Sequence, residues 1–428
     1  MQREVVLAGA CRTAIGKFQG TLAGIPAVDL GALVIREAVN RAGIKSGQVE
    51  EVYMGCVIQA ALGQNAARQA MIKAGLPVES PALTVNDVCG SGLKCVNLAA
   101  SLVAAGEADI IVAGGMENMS AAPYALPQAR SGYRMGDGAF VDTMIRDALW
   151  DALGNYHMGL TAENVAARYG ISREAQDRFA AESQQKCEKA QKEGRFTEEI
   201  TPAPVKVKKD AFLFAVDEYP RQGVTAESIS ALRPAFKSEG GTVTAANASG
   251  INDGAAAMVV MSADKAKELG VRPVARFVAG SWAGVDPSYM GIGPAAAVQK
   301  LLKKTSLTID DFDLIEANEA FAAQALRGQM GYTHNRPLSA DPQSGADVAN
   351  KRLGLLSPSS IATLIRTARS GTFGRHGGES PATCFQSTAR GLQSPAISFQ
   401  SLARGVQSPV IETRIRGNRA KLSWFNTF

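Results

Sequence analysis

The first 120 residues alternate between two textures: short, continuous apolar runs, and longer stretches whose apolar residues recur at helical spacing. Residues 4–11 are a short apolar run bounded by a turn-like stretch, the pattern of a buried strand. AVDLGALVIREAVNRAG (27–43) has helical periodicity and a glycine stop, and EEVYMGCVI (50–58) reads as the next strand. The unit then recurs. Residues 65–75 are helical, 81–88 a strand, 90–106 a helix, and ADIIVAGG (108–115) a fully apolar strand. Strands that alternate with helices and read as near-continuous hydrophobic runs predict an α/β layered fold with a largely buried sheet.

From Met116 to about Thr244 the chain turns polar and is punctuated by Gly and Pro, with one strongly charged helix at 172–194. Such a stretch between α/β segments predicts an inserted subdomain. A Gly-containing turn followed by a buried strand returns at 246–262, and the next strand is at 271–284. Residues 27–57 and 295–320 share one order, amphipathic helix, acidic turn, strand and polar segment, which predicts a duplicated α/β architecture. After Leu326 the periodicity stops, and a near-repeat appears, FQSTARGLQSPAIS (385–398) followed by FQSLARGVQSPVIE (399–412). The expected organisation is a first half of residues 1–120 and 245–270, and an inserted loop subdomain at 121–244. Residues 271–326 begin an incomplete second half, and 327–428 form a basic, low-complexity, largely disordered tail.

Composition sharpens this division. At 46% hydrophobic and 20% charged residues the chain is globular rather than fibrous or fully disordered. The formal charge of +5 conceals a contrast: residues 327–428 carry 13 basic and 4 acidic side chains, so the preceding 326 residues are slightly acidic. The positive balance therefore belongs to the tail. Its cations are dispersed with few aromatics among them, which argues against a nucleic-acid-binding arm. No apolar run reaches the ~18–20 residues of a membrane span, and MQREVVLAGA lacks the pattern of a leader, so neither a membrane nor export is expected. Cysteines 11, 56, 89, 95, 187 and 384 are scattered without CxxC spacing. That predicts neither a metal site nor a disulfide framework, and a reducing, cytoplasmic setting.

The string TVNDVCGSGLKC (84–95) carries the chemistry. A strand delivers Cys89 into a Gly-Ser-Gly turn that opens a helix, where the positive helix end favours a thiolate and Gly90 and Gly92 allow close approach of a substrate. The residues alone leave two readings of Cys89 open, a nucleophile and a small packed residue at a strand end; the glycine turn favours the nucleophile. Cys95, on the same helix, reads as packing, and Glu319 as structural.

VNDVCGSGLK, followed by DIIVAGGMENMS (109–120), resembles the nucleophile segment of thiolases, the acetyl-CoA acetyltransferase family. YHMGLTAENVA (156–166), DEYPR (217–221), LRPAF (232–236), GTVTAANASGINDGAAA (241–257), MGIGP (290–294) and NEAFAAQAL (318–326) resemble further thiolase segments, in order. The resemblance covers residues 1–326. It implies a thiolase-like duplicated α/β layered fold and acylation of Cys89 by acetyl-CoA, with acetoacetyl-CoA formed or cleaved in ping-pong fashion. It also implies that Asn318 positions a water in an oxyanion hole. By the same resemblance His157 and Met158 lie in the pantetheine region, Arg221 and Ser228 at the nucleotide end, and Ser249 at the pantetheine amide. Leu149 and Phe321 would form acyl and pantetheine walls. Coenzyme A thioesters are then substrates, no further cofactor is implied, and a homodimer or homotetramer is expected. A Cys-dependent ketoacyl synthase is a related reading that NEAF and NASG argue against.

Two elements that the resemblance implies are missing after NEAF: a Gly-His-Pro segment whose His activates the nucleophile, and a Cys-x-Gly-Gly-Gly-x-Gly run whose Cys takes the proton from the second acetyl-CoA. His334 in YTHNRP, His376 in GRHGGES and Cys384 in PATCFQS have the wrong neighbours, and neither role passes to them. The expected activity is therefore an impaired acetyl transfer. The alternatives are an inactive remnant, with out-of-frame sequence after codon 326, and a scaffold that binds coenzyme A.

Overall fold

The computed structural model describes residues 3–207, 209–312, 314–333, 361–367, 413–415 and 418–423. Its centre is one large mixed sheet. The strands are β1 (Val5–Arg12), β2 (Glu51–Gly55), β3 (Ala82–Val85), β4 (Ile110–Asn118), β5 (Asn252–Ser262), β6 (Ala275–Trp282), β7 (Leu314–Ile315), β8 (Ile361–Thr367) and β9 (Asn418–Ser423). Their order across the sheet is β7-β9-β8-β6-β1-β5-β4-β2-β3. β2 runs parallel to both β3 and β4, whereas β5 is antiparallel to β1 and β4, and β1 is antiparallel to β6.

Strand periodicity sorts the core into two layers. Val6, Ala8, Ile110, Val112, Val259 and Met261 face the helices α1 (Ala27–Ala42) and α2 (Ala66–Ala74). Their neighbours Val5, Leu7, Ile111, Ala113, Met258 and Val260 face the other side, under α3 (Ser91–Ala105) and the helix at Gly293–Thr305. Each large aliphatic side chain so buried contributes roughly 1.5–3 kcal/mol, which is why these strands read as continuous apolar runs rather than alternating ones. Gly9, at φ +61, marks the bulge in β1, and a Cβ there would lie 2.1 Å from the carbonyl oxygen of Ala38. Only glycine lets α1 pack this closely. Val88–Ala105 is long and apolar enough to cross a membrane, but more than half of it is buried inside this fold.

The predicted elements of the first half all form, within a few residues of their expected ends. The internal echo is structural too: α1, a 3-10 turn at Ser46–Gln48 and β2 are matched by Gly293–Thr305, a 3-10 turn at Ile309–Asp311 and β7. Between β4 and β5, in the stretch read as an insertion, lie α4 (Gly159–Tyr169) and α5 (Arg173–Lys192), the charged helix of the sequence pattern. We label Gly293–Thr305 α6 and Ala322–Thr333 α7.

Beyond Leu326 the sequence pattern predicts no regular element, but α7 continues to Thr333 and three short strands follow. β8 pairs antiparallel with β6 from Ala275↔Thr367 to Trp282↔Ile361, and β9 then pairs with β8 and β7. The physical reason is the open edge of β6, whose backbone groups need partners; the run IATLIRT supplies them. The rest of the tail, including His334, His376, Cys384 and the near-repeat, lies outside the described residues.

Candidate active site

β3 ends at Val85, and the chain reaches α3 through Asn86, Asp87, Val88, Cys89 and Gly90. Val88 has φ +47, a conformation strongly disfavoured for a β-branched residue. Local hydrogen bonds hold it there. The Asn86 Oδ1 accepts from the Val88 N–H at 3.1 Å, and the Ser91 N–H and Oγ both donate to the Val88 carbonyl, at 3.1 and 2.6 Å. Ser91 Oγ also accepts from the Asp87 N–H at 2.8 Å. Cys89 follows directly, one residue before the Gly90 N-cap of α3.

Of the five described cysteines, all free, Cys11, Cys56, Cys95 and Cys187 are buried and Cys89 alone is half-buried. Its thiol is pushed up to about 11, first by burial and then by the carboxylate of Glu117, against a lowering by its own backbone N–H. This corrects the expectation that the helix end lowers the thiol pKa. The helix dipole is present, but desolvation outweighs it here.

Glu117 is 4% exposed, near the end of β4. It accepts from the N–H groups of Val57 at 2.8 Å and Ile58 at 3.2 Å, and Cys56 Sγ approaches it at 3.7 Å. Burial raises it to about 7 despite these donors, and Asp253 adds to the rise. Ile58 packs in turn with Met119, Met144, Ala148 and Leu149. Glu117 thus acts on Cys89 through its charge and is hydrogen-bonded to the segment that packs with Leu149.

Leu149 accepts from the Met158 N–H at 2.8 Å across the small ribbon that pairs Trp150 with His157. His157 Nδ1 accepts from the Gly159 N–H at 3.0 Å, so in the neutral ring the proton sits on Nε2. Burial lowers the His157 pKa and favours that neutral form. The ring stacks on Phe236 at 4.5 Å, and Phe236 meets Phe321 edge-on at 6.2 Å. Leu149, Met158, His157 and Phe321 therefore lie along one connected wall.

Phe321 belongs to the NEAF loop, which is stitched to the NASG loop: the Ser249 N–H donates to Ala320 O at 2.8 Å, and the Ala322 N–H to Asn247 O at 2.9 Å. Asn318 is buried in this seam and Ser249 is exposed beside it. The charged helix α5 holds both loops. Asp177 accepts from Asn247 Nδ2 at 2.9 Å while paired with Arg173 at 2.7 Å, and Ser183 Oγ donates to Glu319 at 2.5 Å. Arg221 and Ser228 stand apart on an exposed segment. The Arg221 N–H donates to Gln184 of α5, and Ser228 closes a capping box with Thr225.

Among the described residues no group of three or more His, Cys, Asp or Glu side chains could hold a metal ion. Two contributors escape the sequence reading. Glu117 sits in GGMENMS, and an acid inside an apolar strand run is its available signal. Phe236 closes LRPAF, and nothing in its spacing announces the stack with His157.

The family described as thiolase, N-terminal domain, matches residues 5–264, and thiolase, C-terminal domain, matches residues 271–336. The chain belongs to the thiolase family. Acetyl-CoA acetyltransferase of Cupriavidus necator is 60% identical over 332 residues, 77% of this chain and 84% of that protein. The Escherichia coli K12 protein of the same name is 50% identical over 377 residues, 87% and 95% of the two chains. The crystal structure of the Bacillus anthracis acetyl-CoA acetyltransferase superposes with a TM-score of 0.76 at 41% identity, covering 84% of this chain and 89% of the other. By family, then, the chain is an enzyme of the thiolase type, the group into which these acetyltransferases fall.

Proposed function

We propose that this chain is an acetyl-CoA C-acetyltransferase that works through an acyl-Cys89 intermediate. The supporting observation is the strained turn at Val88, which presents the one half-buried thiol among the described cysteines beside a helix N-terminus. Cys89 Sγ, as thiolate, attacks the thioester carbonyl of acetyl-CoA. The C–S bond to coenzyme A breaks, and the coenzyme A thiolate leaves and takes up the proton that Cys89 gave up. Condensation with a second acetyl-CoA gives acetoacetyl-CoA; thiolysis is the reverse. Charge develops on a carbonyl oxygen in both steps, and a fixed donor there, here a water held by Asn318, contributes about 3–4 kcal/mol.

Leu149, His157, Met158 and Phe321 form the wall for the acyl and pantetheine parts. Ser249 serves the pantetheine amide, and Arg221 and Ser228 the nucleotide end, where their exposure suits a phosphate-bearing ligand. Coenzyme A thioesters enter as substrates, with no resident cofactor. The proposal includes a homodimer or homotetramer, no nucleic-acid or membrane partner, and a cytoplasmic setting that suits free cysteines.

The sequence lacks the late His that would activate Cys89 and the second Cys that would serve the condensation, so turnover is impaired. Each lost acid–base group lowers the rate by roughly 10²–10⁴-fold. The same absence supports a second reading, an inactive remnant or a scaffold that binds coenzyme A without transfer. Mass spectrometry of the Cys89 peptide after exposure to acetyl-CoA, followed by an acetoacetyl-CoA thiolysis assay, separates the two. An acetyl adduct on Cys89 with strongly depressed thiolysis is expected. A folded chain that binds coenzyme A but takes no acetyl group is the scaffold, and full thiolysis overturns the impairment.

A further inference from the structure

We propose that Glu117 is a positioning residue for Cys89, acting through the Val57 peptide and the Asn86 side chain to hold the strained Val88 turn. The links are consecutive. The Glu117 carboxylate accepts from the Val57 N–H at 2.8 Å, and the Val57 carbonyl accepts from Asn86 Nδ2 at a long 3.5 Å. Asn86 Oδ1 accepts from the Val88 N–H at 3.1 Å, and Cys89 is the next residue. Both faces of the Asn86 amide are thereby used, one toward the loop after β2 and one toward the turn. Val88 at φ +47 is a β-branched residue in a conformation that costs of order 1–3 kcal/mol, and it persists only where its surroundings over-determine it. The Ser91 bonds, one of them to the Val88 carbonyl, are one such restraint, and the line from Glu117, which ends on the Val88 N–H, is a second.

The placement also accounts for an acid inside an otherwise apolar strand. A buried carboxyl without a task is costly, whereas this one satisfies two backbone donors of a non-repetitive segment. The titratable groups near it are the Cys56 thiol, Asp253 of β5 and Cys89 itself. Its charge therefore bears on the thiol directly as well as through the turn.

The inference rests on Cys89 being the reacting thiol, and alkylation reads that thiol whether or not a thioester acylates it. The test is the rate of Cys89 alkylation by iodoacetamide from pH 7 to 10.5 on the full chain, followed on the Cys89 peptide. The variants are Glu117→Gln, Asn86→Ala and the pair together. Releasing the turn exposes the thiol and returns it toward its ordinary range, so Asn86→Ala shifts the profile down by about one pH unit, roughly tenfold faster at pH 9. Glu117→Gln shifts it at least as far, because the neighbouring charge is lost too. Residues on one line are not additive, so Asn86→Ala adds less than about twofold in the Glu117→Gln background. Independent, multiplying effects overturn the proposal. Asn86 is exposed, so if Glu117→Gln does not fold, Asn86→Ala decides alone: a wild-type profile from a chain of unchanged melting temperature overturns it. Acetylation of the wild-type Cys89 by acetyl-CoA is scored separately, so failure of the acyl-transfer reading leaves this result standing.

Discussion

Arg12 and Asp217 form a buried two-pronged ion pair: Nη1 donates to Oδ1 at 2.6 Å and Nη2 to Oδ2 at 2.9 Å. Arg12 ends β1, and Asp217 lies far along the chain in the polar segment between α5 and β5, so the pair clamps that segment to the sheet. Arg12 Nε also donates to Glu199 at 2.7 Å, and Asp217 accepts from the Ile15 N–H at 2.8 Å. Burying a guanidinium is unfavourable, and the carboxylates of Asp217 and Glu199 offset that burial.

Arg12→Met should therefore be one of the most damaging single changes in the chain. It leaves Glu199 and Asp217 buried with their cation gone, a loss of about 3–5 kcal/mol. Disrupting the exposed pair Lys73–Asp29 should cost less than about 1 kcal/mol. Urea unfolding midpoints of Arg12→Met and Lys73→Met compare the two directly. Equal midpoints would show that the buried clamp adds nothing beyond a surface pair.

Glu319 makes stability depend on pH. Burial raises its pKa in the fold to about 8, against a lowering by the Ser183 hydroxyl, from an ordinary value of 4.5. A carboxyl raised on folding is neutral in both states below pH 4.5, so it carries no penalty there. Between pH 4.5 and 8 the unfolded chain loses the proton that the fold retains, and stability falls as pH rises. Glu319→Gln removes the ionisable group. Its melting temperature relative to wild type should rise steadily from pH 5 to pH 8, and a difference independent of pH contradicts this assignment.

The thiol gives a second pH dependence, in rate rather than stability. With Cys89 at about 11, roughly one thiol in ten thousand is ionised at pH 7. Acetylation of Cys89 by acetyl-CoA should then climb about tenfold per pH unit between 7 and 10. A rate that levels off near pH 8 would mean that substrate binding, or a base from the undescribed residues, lowers the thiol pKa.

What the sequence makes legible follows from what each residue does locally. Cys89 stands out because a strand-to-helix turn with two glycines is rare and has few structural uses. The first-half strands are legible because both faces of the sheet are covered, which forces continuous apolar runs. The role of α5 is not. Its charged composition is that of a solvated helix, and the two residues that hold the NASG and NEAF loops, Asp177 and Ser183, are polar groups buried on its inner face. Glu117 is hidden for a related reason: its partners are backbone N–H groups of Val57 and Ile58, distant in sequence, and a backbone donor leaves no mark on residue type. β8 is missed because an edge strand answers to its neighbour's unpaired backbone more than to its own periodicity.

Gly55 tests how tightly the nucleophile turn is held from below. It closes β2, paired with Val85 and Gly115, and faces the first turn of α3. A Cβ there would stand 2.6 Å from Ser91 Cβ and 2.8 Å from the Gly92 nitrogen. Those are main-chain and first-carbon positions, which cannot swing away as a side-chain end can. Gly55→Ala must displace the start of α3, and with it the Ser91 bonds to Val88 and Asp87 that keep Cys89 in place. The expected cost is about 1–3 kcal/mol, with a changed Cys89 alkylation rate. Gly24 offers the control: a Cβ there meets nothing within 4 Å, so Gly24→Ala should stay within about 0.5 kcal/mol of wild type and leave the thiol unaffected. If Gly55→Ala lowers the melting temperature but leaves alkylation at the wild-type rate, β2 supports the fold without setting the turn. The restraint on Val88 would then have to come from the Glu117 side alone.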